Sequence, residues 1–141
     1  KLIFSYHGVQ KKYLLKGDPY HCFCQKTTRL VAEKMKLKEK EYMTTFQSRF
    51  GPDEWLQPYT DKTLEELPSK DIKKIHIMSP GFSSDCLETL EELEIQNKEL
   101  FISSGGEKFT YIKCLNDNSQ HLNMLSLLIL NHLKGWPGHS K

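Results

Sequence analysis

The chain has 141 residues, a length that supports one hydrophobic core but not two. Its 20 lysines and arginines against 18 aspartates and glutamates leave a formal charge of +2, and the charges are spread along the whole sequence, so the basic stripe that nucleic-acid binding requires is missing. No apolar run approaches the roughly 20 residues that cross a bilayer, and the opening Lys1-Leu2-Ile3-Phe4-Ser5-Tyr6 turns polar too soon for a signal peptide, so neither a transmembrane segment nor a secretory leader is expected.

In chain order, residues 2–6 read as a strand. Asp18 is suited to cap a helix with Pro19 at its first position, and that helix is expected to run to about residue 36. Residues 42–47 read as a second strand. A long connection containing Gly51, Pro52, Trp55 and Pro58 leads to a short helix over 61–67, stopped by Pro68. Residues 74–78 form the third strand.

The loop Pro80-Gly81-Phe82-Ser83-Ser84 feeds a helix that starts near Asp85 and ends at the Gly105-Gly106 pair. A fourth strand is expected over 109–115. A last helix over 119–133 carries Leu122, Leu125, Ile129 and Leu133 on one stripe and finishes near Gly135.

The order βαβαβαβα implies an α/β fold, a doubly wound four-stranded parallel sheet with helices on both faces. It is read as a single domain, residues 1–141. Ligands of such sheets gather beyond the carboxyl ends of the strands.

The segments at that edge are polar. His7 and Gly8 follow the first strand, Gln47-Ser48-Arg49 the second, Phe82-Ser83-Ser84-Asp85 the third and Asn116-Asp117-Asn118 the fourth. Turn chemistry accounts for some Ser, Asn and Asp residues at such places, and it accounts for Asn118 and Ser119, but not for a histidine at the end of an apolar strand. The His7 imidazole is either a hydrogen-bonded structural group or a base or metal ligand working near neutral pH.

Asp85, Glu88, Glu91, Glu92 and Glu94 make an acidic helix opening. It serves the helix dipole, or pairs Asp85 with Glu88 as a cap, or sets Asp85, Glu88 and Glu92 as an acidic ladder into the crevice. Phe46, Phe50, Trp55, Tyr59 and Phe82 are core fillers or walls for a flat apolar ligand, with Trp55, in its Pro-rich loop, the best placed for contact. Cys22, Cys24, Cys86 and Cys114 lack paired Cys-x-x-Cys spacing and the density of a disulfide scaffold. Reduced thiols are expected, and the two-residue offset of Cys22 and Cys24 argues against an iron-sulfur cluster.

Seven runs carry a family resemblance: Phe4-Ser5-Tyr6-His7-Gly8, Gly17-Asp18-Pro19-Tyr20, Phe46-Gln47-Ser48-Arg49-Phe50-Gly51, Trp55-Leu56-Gln57-Pro58-Tyr59-Thr60, Pro80-Gly81-Phe82, Asp85-Cys86-Leu87-Glu88-Thr89-Leu90-Glu91-Glu92 and Cys114-Leu115-Asn116. In this order the chain resembles the carboxy-terminal half of ferrochelatases, in wording closer to the bacterial branch. The resemblance implies insertion of ferrous iron into protoporphyrin IX in haem biosynthesis. It makes His7 the active-site histidine, as iron ligand or acceptor of pyrrole protons, and Glu88 its partner acid and fellow metal contact. Asp85 and Glu92 match acidic positions assigned to proton removal or metal passage, and Trp55, Phe82 and Ser83 lie along the porphyrin cleft.

The same resemblance implies no prosthetic group, with iron as substrate. It places a further amino-terminal domain outside this chain, or a homodimer mate in its stead, to close the cleft. The compartment it implies is the bacterial cytoplasm, or a mitochondrion or other organelle in a eukaryote. Val9-Gln10 and Lys113 depart from the family, which usually has Leu or Ile then Pro after the His-Gly pair and Pro before Cys-Leu-Asn. The alternative is a ferrochelatase-like protein that binds porphyrin, haem or metal without chelatase activity.

Overall fold

The structure, a computed structural model, describes residues 1–138, so the last three residues of the expected domain lie outside it. Four strands form one parallel sheet: β1 (Leu2–His7), β2 (Tyr42–Gln47), β3 (Lys74–Met78) and β4 (Lys108–Ile112), in the order β2-β1-β3-β4. The expected α/β architecture is present. β2 and β3 have the expected bounds, and in β3 alternation is sharp: Ile75 and Ile77 are buried while Lys74 and His76 on the other face are exposed. β4 stops at Ile112, three residues before the expected 115, and the chain then turns across the end of the sheet.

Two apolar clusters sandwich the sheet. On one face Leu2, Phe4, Tyr6 and Phe46 pack with Cys24 of α2 (Tyr20–Lys34) and with Leu56. The capping expectation holds in substance: the Asp18 carboxylate accepts the Tyr20 N–H at 2.8 Å. A short helix not foreseen, α1 (Lys11–Leu15), precedes it and buries no residue.

On the other face Ile3, Ile75 and Ile77 pack with Leu64 of α3 (Thr60–Glu66), Leu67, Leu93 and Phe101. Each such side chain contributes about 1.5–3 kcal/mol on burial. Helices thus lie on both faces, but unevenly. On the α2 side β3 and β4 leave Lys74, His76, Lys108 and Ile112 exposed.

The helix expected to begin near Asp85 begins instead at Leu87. It is composite: α4 (Leu87–Thr89), a π-helical stretch (Leu90–Asn97) and α5 (Lys98–Ser103). Its buried residues, Thr89, Leu93, Asn97 and Phe101, fall four apart. In an α-helix that spacing drifts around the axis by roughly 120° over three steps. The wider i→i+5 turns reduce the drift and keep all four on the sheet. The Asn97 amide helps hold the wide turn by donating to the Glu92 carbonyl at 2.9 Å.

The last helix, α6 (Ser119–His132), is capped by Asn118, whose side chain accepts the Gln120 N–H. Its expected stripe does not enter the core. Leu122, Met124, Leu127, Leu128, Ile129 and Leu130 are between 45% and 58% exposed, and His121 is the buried residue of the helix. A helix apolar on every side is normally enclosed by protein. No helix among the described residues is long and apolar enough to cross a membrane.

Candidate functional site at the carboxyl edge of the sheet

β1 ends on His7, which pairs in register with Gln47 at the end of β2. The Gly8 N–H donates to the Gln47 carbonyl at 2.8 Å. Only glycine fits at residue 8, since a Cβ there would lie 2.9 Å from the Gln47 carbonyl oxygen and 3.1 Å from the Trp55 indole. The strand end is further held by the Tyr20 hydroxyl, which donates to the His7 carbonyl at 2.7 Å.

His7 Nδ1 lies 2.7 Å from the Gly8 carbonyl oxygen. A carbonyl only accepts, so Nδ1 carries the proton and the neutral ring keeps a lone pair on Nε2. That nitrogen can take a proton or bind a cation. The Phe82 ring stands 6.4 Å from the imidazole, centroid to centroid.

Glu88 is in the three-residue α4 turn, partly buried. Its carboxyl is held below the usual carboxylate range by hydrogen bonding to Cys86, then by its own backbone N–H, with a smaller contribution from the nearby His7 imidazole. The Glu88 carbonyl accepts the Gln47 side-chain N–H at 2.7 Å, and Gln47 pairs in register with His7, so the Glu88 turn is tied to the strand end that carries the imidazole.

The acidic ladder does not form. Asp85 lies outside the helix, whose capping box is made by Cys86 and Thr89, and its carboxylate turns to the end of β4. There it accepts from the Tyr111 hydroxyl at 2.6 Å, the Asn116 amide at 2.8 Å and the Cys114 N–H at 3.3 Å. The Asn116 side-chain oxygen Oδ1 in turn accepts the Asp85 N–H at 2.8 Å. Burial alone would raise the Asp85 pKa, but the donors from Asn116, Tyr111 and Cys114 hold it well below the usual range.

Glu92 turns the other way, to β2. It accepts from the Ser48 N–H at 2.7 Å and from the Ser48 hydroxyl, and it faces a cleft of about 320 Å³ lined also by Arg49, Asp61 and Gln96. Arg49 is held by both oxygens of Asp61. Asp85 and Glu92 therefore point to opposite strands of the sheet, with Glu88 between them.

Trp55 is 5% exposed, its indole N–H donating to the Phe50 carbonyl at 3.0 Å. The exposed ring of that loop is Phe50, 75% exposed and 5.1 Å from the indole. The expectation that Trp55 offers the contact surface is corrected in this respect: Gly8 and the Pro-rich loop bury it, and Phe50 is outermost. Ser83 is exposed, and its carbonyl accepts the Asn116 N–H at 3.0 Å.

Among the described residues no group of three or more His, Cys, Asp and Glu side chains is gathered closely enough to hold a metal ion. Cys22 is exposed and Cys24 buried, on different sides of α2. Sequence reasoning placed Gln47 only within the polar segment after the second strand, without a role of its own, and did not single out Tyr111. The further signal for Gln47 was a large amide directly after the apolar Phe46 at a strand end.

Comparison with known proteins adds the family. The sequence model described as Ferrochelatase matches residues 1–133. The chain is 60% identical over 136 residues to the ferrochelatase of Marinobacter nauticus, covering 96% of this chain and 37% of that protein. It is 58% identical over 136 residues to that of Idiomarina loihiensis, with the same coverage. With the Agrobacterium fabrum protein it shares 57% identity over 135 residues, covering 96% of this chain and 39% of that protein. The chain thus spans less than two-fifths of the length of these relatives.

Proposed function

This chain belongs to the ferrochelatase family, and on that premise we propose that it supplies the histidine and carboxylate half of a site that inserts ferrous iron into protoporphyrin IX. The observation that carries the reading is the His7 imidazole, with Nδ1 spent on the Gly8 carbonyl and Nε2 left as a lone pair, on a strand whose neighbour Gln47 donates to the Glu88 carbonyl. Metallation removes two pyrrole protons and brings in a dication. A neutral imidazole accepts such a proton near neutral pH, and an ionised carboxylate stabilises the imidazolium that results. Imidazole and carboxylate are also apt transient ligands for iron. A metal that is substrate leaves in the product, so a complete protein ligand set is not needed.

Phe82 beside His7, and Phe50 in front of Trp55, offer apolar surface for a flat macrocycle. The opposite wall of the cleft is assigned to the part of the relatives' length that this chain does not span. A homodimer mate is the competing source, and equilibrium sedimentation separates the two. Bacterial relatives and four free thiols support a cytoplasmic setting.

The test is anaerobic zinc insertion into a dicarboxylic porphyrin, followed by fluorescence, in the native polypeptide. His7→Ala is expected to lower turnover by at least about 100-fold while porphyrin still binds. Binding of porphyrin without insertion by the unsubstituted protein would refute the chelatase reading and leave a binding protein.

A further inference from the structure

We infer that Gln47 is a positioning residue, which sets the Glu88 turn against His7. The inference rests on the chelatase reading and adds to it a residue that holds both members of the pair. Gln47 is 2% exposed and lies beside His7 in the β1–β2 ladder, its own carbonyl accepting the Gly8 N–H. Its amide has one orientation. Oε1 accepts the Ser5 hydroxyl at 2.7 Å, and Ser79 approaches the same oxygen at 3.3 Å. Nε2 is thereby directed at the acidic helix, where it donates to the Glu88 carbonyl at 2.7 Å and lies 3.3 Å from the Glu92 carboxylate.

The need for such a tether follows from the helix itself. A single α turn running into a π-helix has little intrinsic preference for its geometry, since π turns are rare and short as a rule. Glu88 belongs to that turn. Gln47 ties its backbone to the strand that adjoins His7, and so converts the order of the sheet into a fixed separation between imidazole and carboxylate. Small errors in such a separation are expensive in rate: about 1 Å can cost 100-fold.

The substitutions that test the donor are Gln47→Leu and Gln47→Glu, made in the native polypeptide. Gln47→Leu removes the Nε2 donor together with the Oε1 acceptor for Ser5 and is expected to lower kcat by about 10- to 100-fold, with the porphyrin KM unchanged within about threefold. Gln47→Glu keeps the acceptor for Ser5, and the introduced carboxyl can donate to the Glu88 carbonyl only while protonated. It would face Glu92 and Glu88 from the acidic helix and His7 from β1, with Arg49, two residues on, engaged by Asp61 of α3. Burial and the two carboxylates raise its pKa. Turnover of Gln47→Glu is therefore expected to fall with rising pH along a limb that the unsubstituted enzyme lacks.

A structural role confined to the Ser5 side would not produce that limb. Turnover of Gln47→Leu within twofold of the parent would overturn the inference, as would a parental pH profile in Gln47→Glu. Should Gln47→Leu fail to fold by circular dichroism, the Gln47→Glu profile decides alone. If the parent inserts no metal, the chelatase reading fails separately, and the tether is read from amide hydrogen exchange across residues 87–90. Exchange there should quicken by about 10-fold in Gln47→Leu, and unchanged exchange would overturn the tether.

Discussion

Replacing Asp85 by alanine should destabilise the fold. The carboxylate is the common acceptor for the Tyr111 hydroxyl, the Asn116 amide and the Cys114 N–H, and these three bonds join the end of β4 to the start of the helix. A hydrogen bond to a charged group is worth about 1.5–3 kcal/mol. Bonds that share one acceptor are not additive, and water can reach part of this loop, so the expected loss is about 3 kcal/mol rather than the sum. For a unit of this size that lowers Tm by about 10 °C.

Urea unfolding of the native polypeptide should show a lower midpoint with an unchanged slope. The pH dependence has a definite sign. Asp85 titrates lower in the folded protein than unfolded, so its stabilisation is complete above the unfolded value of about 3.9 and is lost as pH falls towards the native value. The gap between parent and Asp85→Ala should therefore narrow below about pH 4. A loss under about 1 kcal/mol at neutral pH, or a gap equally wide in acid, would refute the reasoning.

Two further changes test the surroundings. Glu91→Gln should leave both turnover and stability near the parent's, since the Glu91 side chain is exposed and bonds only to Gln96 among the described residues; a loss of turnover in the zinc-insertion assay would show that the acidic helix acts by bulk charge. Gly106→Ala should cost about 1–3 kcal/mol in urea unfolding, because a Cβ there would meet the buried Phe101 ring and carbonyl inside contact distance.

Where the sequence alternates in polarity or carries a cap, it was sufficient. β3 follows from a period-two pattern, β2 from its β-branched and aromatic run Tyr42-Met43-Thr44-Thr45-Phe46, and Asp18 is legible as a cap because a short acidic side chain before Pro19 has few other uses. His7 was legible as an anomaly, an imidazole at the end of an apolar strand. α1 was not, because it buries nothing: it is held by the Lys11 N–H to the Glu54 carbonyl and by exposed pairing of Lys11 with Glu54 and Lys12 with Asp53.

The acidic helix misled for a different reason. α-helical spacing placed Asp85, Glu88 and Glu92 on one line, but the helix starts after Asp85 and widens beyond Thr89, so the three carboxylates separate. The buried positions 89, 93, 97 and 101 carry the only hint, a strict interval of four, and Thr89 and Asn97 hide it from any search for apolar periodicity. The stripe on α6 was legible as apolar, but among the described residues it joins neither core cluster.

Whether His7 and Glu88 work on one substrate as a unit is decided by a double-mutant cycle of His7→Ala and Glu88→Gln, read as zinc insertion by the native polypeptide. Groups that act as a unit give strongly non-additive losses. The double variant should be no slower than the slower single variant within about threefold. Losses that multiply, each substitution retaining its full effect in the presence of the other, would contradict joint action.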